Sequence, residues 1–461
     1  MAGISAIATN IPRYRLPREV IARAWGGASM GGERTVANHD EDSLTLAVGA
    51  ALEIGPAAAS AGAVYFATTS APYAEKQGAA TVAAVLDLPA TVRTLDFTDS
   101  QRAGTSALLA GIDALAAGSA ERIVVACGEC RTGEPESPGE QGFGDAGAAV
   151  VLERDGGGLA EVVATHSVND EFLGTWRTSE QRFPKSFPGG FDTKLGYSRV
   201  LTAVVQGLLA KAGVTAADVK HLVLPTPSPR APQGVAKALG FDPKAQLQDG
   251  LWATVGDCGA AQPLLLLAAA LERARPGDLV LVAAYGDGAD ALLLRVRAPA
   301  TARLARQIEV KRPLQSYARY ARFRGLVTRE SGTVDPASPA ITFRDREQVL
   351  SLHGGRCPAC GTVQFPRHRH CIECGDGQGL TAVHLARRGT LFTFTVDHMH
   401  ESLDPPVAHG VVDLDEGGRV YLQLTDCDAG ALAIDMRLEL TFRRMHDAGG
   451  FHNYFWKARP V

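Results

Sequence analysis

Ile123-Val124-Val125-Ala126-Cys127 leads to Gly144-Asp145-Ala146-Gly147-Ala148-Ala149-Val150-Val151-Leu152. Later, Leu279-Val280-Leu281-Val282-Ala283 leads to Gly286-Asp287-Gly288-Ala289-Asp290-Ala291-Leu292-Leu293-Leu294. Each pair reads as strand, glycine-rich turn, strand, in the same order near the end of a half-chain. The recurrence predicts two related halves. Such a turn lets the backbone approach a ligand closely, and it serves equally as an ordinary tight hairpin. Around these pairs, residues 1–298 alternate β-rich runs such as Ala63–Ala67 with Ala/Leu-rich helical stretches, the pattern of an α/β fold.

At 461 residues the chain has room for two or three domains with sizeable cores. Its formal net charge of −4 argues against a nucleic-acid binder. No apolar run reaches membrane-spanning length, and no charged-then-apolar export signal opens the sequence. A cytoplasmic protein with reduced cysteines, acting on neither nucleic acid nor membrane, is therefore expected.

Half of the eight cysteines sit in Cys357-Pro358-Ala359-Cys360 and Cys371-Ile372-Glu373-Cys374. Two such knuckles let four thiolates close a tetrahedron around Zn²⁺, which predicts a zinc ribbon with Cys357, Cys360, Cys371 and Cys374 as ligands. The other reading, redox pairs or a disulfide staple, suits the scattered remaining cysteines poorly. With all four positions taken by protein, the metal would hold structure and do no chemistry.

Residues 299–340 are rich in Arg and Lys. Within them Ser316–Gly325 reads as an amphipathic helix with Tyr317, Tyr320 and Phe323 on one face, suited to docking, and Asp335–Pro339 as a linker. After the ribbon, alternating runs at 389–396, 407–414, 420–424 and 437–442 predict a small β-barrel.

Further residues carry a family resemblance. Pro12–Leu16, Asn38–Leu44, Trp176-Arg177 and Gln181–Pro184 resemble hydroxymethylglutaryl-CoA synthases, the archaeal type above all, within the thiolase and ketosynthase superfamily. Cys360–Pro366, Leu424–Cys427 and His452–Trp456 resemble the zinc-ribbon plus OB-fold family that accompanies thiolases. That module is usually a separate subunit; here it is fused. The resemblance implies a five-layered α-β-α-β-α fold with halves at 1–160 and 161–298, a docking linker at 299–340, a rubredoxin-like ribbon at 341–380 and an OB-fold at 381–461. It also implies CoA thioesters as substrates, chemistry at a carbon–carbon bond, and a homodimer.

The catalytic pattern of that family is broken. Its nucleophilic cysteine belongs just before an Ala-Gly-Thr turn opening a buried helix, and here Ser100-Gln101-Arg102-Ala103-Gly104-Thr105 puts Gln101 in its place. Its glutamate belongs after the strand Ala63–Ala67, where Thr69 stands, and its histidine near His221–Leu224, where Pro225 and Thr226 follow. Ser100 has no histidine nearby to take its proton. Cys258 lies in the turn that carries an asparagine in the family and reads as a buried spectator, with Cys127, Cys130 and Cys427 as packing residues.

The remaining polar groups are Asp257 at the asparagine position, Tyr285 and Asp287 in the second glycine-rich turn, and Tyr197. A carboxylate and a phenol suit proton abstraction and oxyanion support without a covalent intermediate, as an aldol or retro-aldol step on a β-hydroxyacyl-CoA requires. Gln101 also fits a decarboxylating ketosynthase, which normally keeps its histidines. Arg230, by the resemblance, and Arg182 and Lys185, by their charge, are expected at a CoA site. The contrasting expectation is an inactive scaffold whose ribbon and OB-fold serve a neighbouring thiolase.

Overall fold

The computed structural model describes residues 2–98, 100–156, 158–187, 190–327 and 338–461. It divides into two units, Met1–Ala37 with Asp42–Tyr320, and Asn38–Glu41 with Ala321–Val461.

The first unit is built on strands β1 (Gly3–Asn10), β2 (Ala63–Ala67), β3 (Arg93–Phe97), β4 (Arg122–Cys130), β5 (Asp145–Glu153), β6 (Ala160–Asn169), β7 (Val219–Val223), β8 (Leu279–Tyr285) and β9 (Gly288–Val296). They form a nine-stranded sheet in the order β7-β8-β9-β6-β1-β5-β4-β2-β3. The repeated sequence pairs are the antiparallel partners β4–β5 and β8–β9. The glycine-rich turn expected in both is tight only in the second, where the Gly286 N–H donates to Gly288 O at 2.9 Å. Residues 131–144 link β4 to β5 and contain the short helix Pro138–Gly142. The two halves join where Gly3 and Ile4 of β1 pair with Glu161 and Ala160 of β6.

Four helices complete the layers: α1 (Ser43–Ile54), α2 (Ala103–Ala116), α3 (Arg199–Ala212) and α4 (Gln262–Leu271). α2 and α4 share one core with the inward residues of both half-sheets, among them Val125 and Val150 from the first and Val282, Leu292 and Leu294 from the second. All residues of α4 are buried, which explains why it is apolar all round beyond Gln262 in its first turn. α1 lies on the outer face of β1, β4 and β5, and α3 on that of β6, β8 and β9. Leu281 and Leu293 point to α3 while their neighbours point inward, the two-residue period of a strand covered on both faces. The outcome is the five-layered α-β-α-β-α fold.

In the second unit, β10 (His353–Arg356), β11 (Val363–Gln364) and β12 (Thr381–His384) make the ribbon sheet. β13 (Arg388–Asp397), β14 (Val407–Leu414), β15 (Arg419–Leu424), β16 (Arg437–Ala448) and β17 (Phe451–Pro460) close into a barrel in the order β13-β14-β15-β17-β16. The fifth strand, β17, goes beyond the four runs expected from the sequence. The helix expected at 316–325 spans Tyr317–Phe323. Of the expected linker, 335–337 lie outside the described residues, and Ser338 caps a helix at Pro339–Arg344.

Candidate active site

A cavity of about 310 Å³ opens in the first unit, lined by Thr69, Ser70, Ser100, Gln101, Cys130, Arg131, Tyr285, Gly286 and Asp287. These residues stand at or just beyond the carboxyl ends of β2, β3, β4 and β8, where open α/β sheets bind ligands. Phe172, Trp176, Arg177 and Arg182, from the segment between β6 and α3, also line it.

Gln101, in the place the resemblance gives to the nucleophile, faces this cavity just before α2. The neighbouring Ser100 hydroxyl donates to Gly286 O at 3.0 Å. A Cβ on Gly286 would lie 2.5 Å from Ser100 Oγ and 3.0 Å from the backbone nitrogens of Gln101 and Arg102. Thus the β8–β9 turn seats directly on the Ser100–Arg102 stretch, and glycine is what allows it. The Ser100 hydroxyl is engaged by Gly286 O, and among the described residues no histidine lines the cavity to serve it as a base.

Tyr285 lines the cavity, and its phenol donates to Asp192 Oδ1 at 3.1 Å. Burial and then Asp192 push its pKa well up, so it stays a neutral donor. Asp287 is held at a positive φ of 50° at the tip of the turn, lines the cavity, and has its carboxyl hydrogen-bonded to the Ser100 side chain. Desolvation raises its pKa against the opposing pull of Arg102. Tyr197 is buried beneath Tyr285, ring centroids 5.9 Å apart, and its hydroxyl donates to Pro225 O at 2.5 Å. It supports the wall and does not line the cavity.

Asp257 is placed behind the wall. Its carboxylate takes Arg131 Nη1 at 2.9 Å and the Gly259 N–H at 2.9 Å. Arg131, which also stacks on Phe143 at 3.9 Å, is the group that reaches the cavity. Sequence reasoning missed Glu129, fully buried near the end of β4. Its Oε1 accepts the Thr69 N–H at 2.5 Å, and its Oε2 accepts the hydroxyls of Ser70 at 2.8 Å and Thr69 at 3.1 Å. Burial raises its pKa, opposed by Arg131 and these hydrogen bonds. The signal was available, since a lone acid following the apolar run Ile123–Cys127 in one buried strand must find partners.

Of the basic residues expected to hold CoA, Arg182 lines the cavity, Lys185 pairs with Glu134 at 2.5 Å, and Arg230 is exposed just before the helix Ala231–Ala238. Arg131 and Arg177 are the further cations on the cavity wall. Cys127 and Cys258 are fully buried, and burial pushes both thiols well above their ordinary range. Cys130, expected to be a packing residue, lines the cavity.

With this geometry in place, relatives can be compared. The chain is 31% identical over 350 residues to a hydroxymethylglutaryl-CoA synthase of Methanosarcina mazei, spanning 70% of this chain and 98% of that one. A protein of the same description from Aeropyrum pernix is 30% identical over 350 residues, spanning 71% and 96%. The chain belongs to the hydroxymethylglutaryl-CoA synthase family. This family member shares its fold with a solved HMG-CoA synthase complexed with CoA, at a TM-score of 0.62 and 18% identity over 72% of this chain and 92% of that one. A 3-oxoacyl-(acyl carrier protein) synthase III from Pseudomonas aeruginosa gives 0.59 and 21% over 65% and 99%. Residues 209–296 match the family profile of the C-terminal part of 3-oxoacyl-[acyl-carrier-protein] synthase III.

Unlike a synthase alone, this member carries two further matches: the ChsH2 rubredoxin-like zinc ribbon at 344–380 and the ChsH2 C-terminal OB-fold domain at 382–443. The ribbon's four sulfurs lie within 4.8 Å of one another, with Cys357–Cys374 at 3.7 Å and Cys360–Cys371 at 3.6 Å. A tetrahedron of Zn–S bonds has sulfurs about 3.8 Å apart, so the residues fit a structural zinc. Each knuckle closes the same way, with Gly361 N–H donating to Cys357 O and Gly375 N–H to Cys371 O. Both glycines take positive φ, 79° and 72°, which favours that residue type there. No described helix is long and apolar enough to cross a membrane.

Proposed function

We propose that this protein binds an acyl-CoA in the cavity and makes or breaks a carbon–carbon bond beside the thioester, without an acyl-enzyme, as an aldolase does. The observation that carries this reading is a cavity at the strand ends lined by acid–base and donor groups, among them Gln101, which stands where the resemblance places the nucleophile. In the cleavage direction, the Asp287 carboxylate takes the proton of a β-hydroxyl. The oxygen's electrons then form the carbonyl, the Cα–Cβ bond breaks, and its electrons become the thioester enolate. The Gln101 carboxamide donates to the enolate oxygen, with Tyr285 holding the wall, and a proton returns to Cα. The base role expected for Asp257 passes to Asp287, because the Asp257 carboxylate is engaged by Arg131. Arg182, Arg177 and Arg131 supply positive charge for the anionic substrate.

The test incubates the purified full chain with a panel of β-hydroxyacyl-CoAs and follows carbonyl and shortened acyl-CoA by mass spectrometry. Turnover is expected, and Asp287→Asn should lower it by about 100-fold or more. A chain that stays inert with every thioester overturns the enzyme reading. Activity seen only on adding a separate thiolase would favour the scaffold instead.

A further inference from the structure

We infer that Glu129 is the second proton-transfer group of this site, working through the Thr69 and Ser70 hydroxyls that separate it from the cavity. The inference rests on the carbon–carbon bond chemistry proposed above, and it supplies a proton donor that chemistry lacks. Asp287 takes up the hydroxyl proton at the β8–β9 turn, and a separate donor on the Thr69 side lets Cα be protonated without that proton crossing the bound substrate.

Glu129 has the placement for this. Both hydroxyls that contact its Oε2 belong to residues lining the cavity, and the carboxyl itself is sealed from solvent. Thr69 stands where the family resemblance places a glutamate. A carboxyl on β4 reaches that position through the Thr69 hydroxyl. The charged and titratable groups facing it are Cys127 on its own strand, Arg131 just beyond the strand's end and Cys258 on the 255–259 turn, with Asp257 behind Arg131. Asp257 holds Arg131 at 2.9 Å, which tempers that guanidinium's pull on Glu129. Burial then favours the protonated acid.

The transfer balances. The protonated Glu129 gives its proton to Thr69 Oγ1 as the Thr69 hydroxyl gives its own to Cα of the enolate. The carbanion electrons form the new C–H bond, and Glu129 is left as carboxylate. Reverse passage removes an α-proton. The hydroxyls turn toward Glu129 when it is ionised and toward the cavity when it is protonated. Glu129 acts through other residues, so it is a positioning and proton-storing residue and not one that touches substrate.

The experiment measures washing of solvent deuterium into the α-carbon of a bound acyl-CoA as a function of pH, alongside calorimetric binding of the same thioester. Glu129→Gln keeps the hydrogen bond that pins Thr69 N–H but has no proton to exchange. It should leave affinity within about threefold, slow exchange by about 100-fold and erase the lower pH limb of the profile. Thr69→Val with Ser70→Ala should give the same exchange defect with Glu129 intact. Retained exchange with an unchanged pH profile in Glu129→Gln overturns the inference. Loss of thioester binding by the wild-type chain overturns the proposed function instead. If Glu129→Gln folds poorly, the Thr69→Val, Ser70→Ala chain decides, and normal exchange in it also overturns the inference.

Discussion

Gly286 shows how a single missing methyl shapes the site. A Cβ there has no space beside Ser100 Oγ and the backbone of Gln101 and Arg102, so Gly286→Ala should push the turn away from α2 and displace Asp287 with it. The expected outcomes are a stability loss of about 1–3 kcal/mol by denaturant melting and at least tenfold weaker thioester binding by calorimetry. The same residue marks how far the site was legible. Gln101, Tyr285 and Asp287 could be placed from glycine-rich turns and local resemblance, because those turns end strands that open on one cavity. Asp257 and Tyr197 could not be separated from them, since whether a side chain faces a cavity or an arginine behind it depends on partners far away in sequence. Glu129 and Arg131 lie between the apolar run Ile123–Cys127 and the turn at Gly144, where local sequence does not tell which side chains meet the cavity.

At the scale of elements, the ribbon was the most legible part and the last barrel strand the least. Cysteine spacing fixes a metal knuckle locally, because each turn carries its own two ligands. Stripping the metal from the full chain with a chelator should release one zinc per chain and loosen residues 353–384, read as lost protection in hydrogen exchange, while the nine-stranded sheet stays protected. Cys371→Ser should produce the same local loss; full protection after metal removal would show that the ribbon needs no zinc. Binding of a structural zinc is worth about 10–16 kcal/mol, far more than so small a sheet supplies by packing. Strand β17 hid for a physical reason. Its Lys457 and β16's Arg443 are buried, so polar residues occupy inward positions and the expected alternation of apolar and polar residues fails.

At the scale of the whole molecule, those buried cations explain an unusual feature of the chain, which enters the second unit twice, at Asn38–Glu41 and again from Ala321 onward. Arg443 bridges Asp40 at 2.9 Å, Glu41 at 3.0 Å and Asp426 at 2.6 Å, and Lys457 takes Asp40 at 2.9 Å. A short segment lying before α1 is thus bound into the barrel by charges that have left water. Removing one partner strands the others, so Arg443→Ala should destabilise the second unit by about 3–5 kcal/mol, measured by hydrogen exchange of β14–β17. The same network sets a pH dependence. Lys457 and Arg443 hold Asp40 far below the ordinary carboxylate range, against the cost of its burial. Burial, with Asp426 and Asp40 nearby, pushes Glu41 up to about 7 despite Arg443. A carboxyl raised on folding stabilises the native state fully below its unfolded pKa and loses that contribution as pH climbs through the folded value. Asp40 acts oppositely, but its contribution is lost only on acidification below its unfolded value of 3.8. Between pH 4.5 and 7, therefore, the Glu41 contribution to the second unit's stability should fall as pH rises. Burial holds His39 of the same segment down to about 4, and its contribution rises with pH over this window. Glu41→Gln should therefore make the slope more positive in melts of the full chain monitored at β14–β17, and an unchanged slope in this variant would show that Glu41 is already ionised when folded.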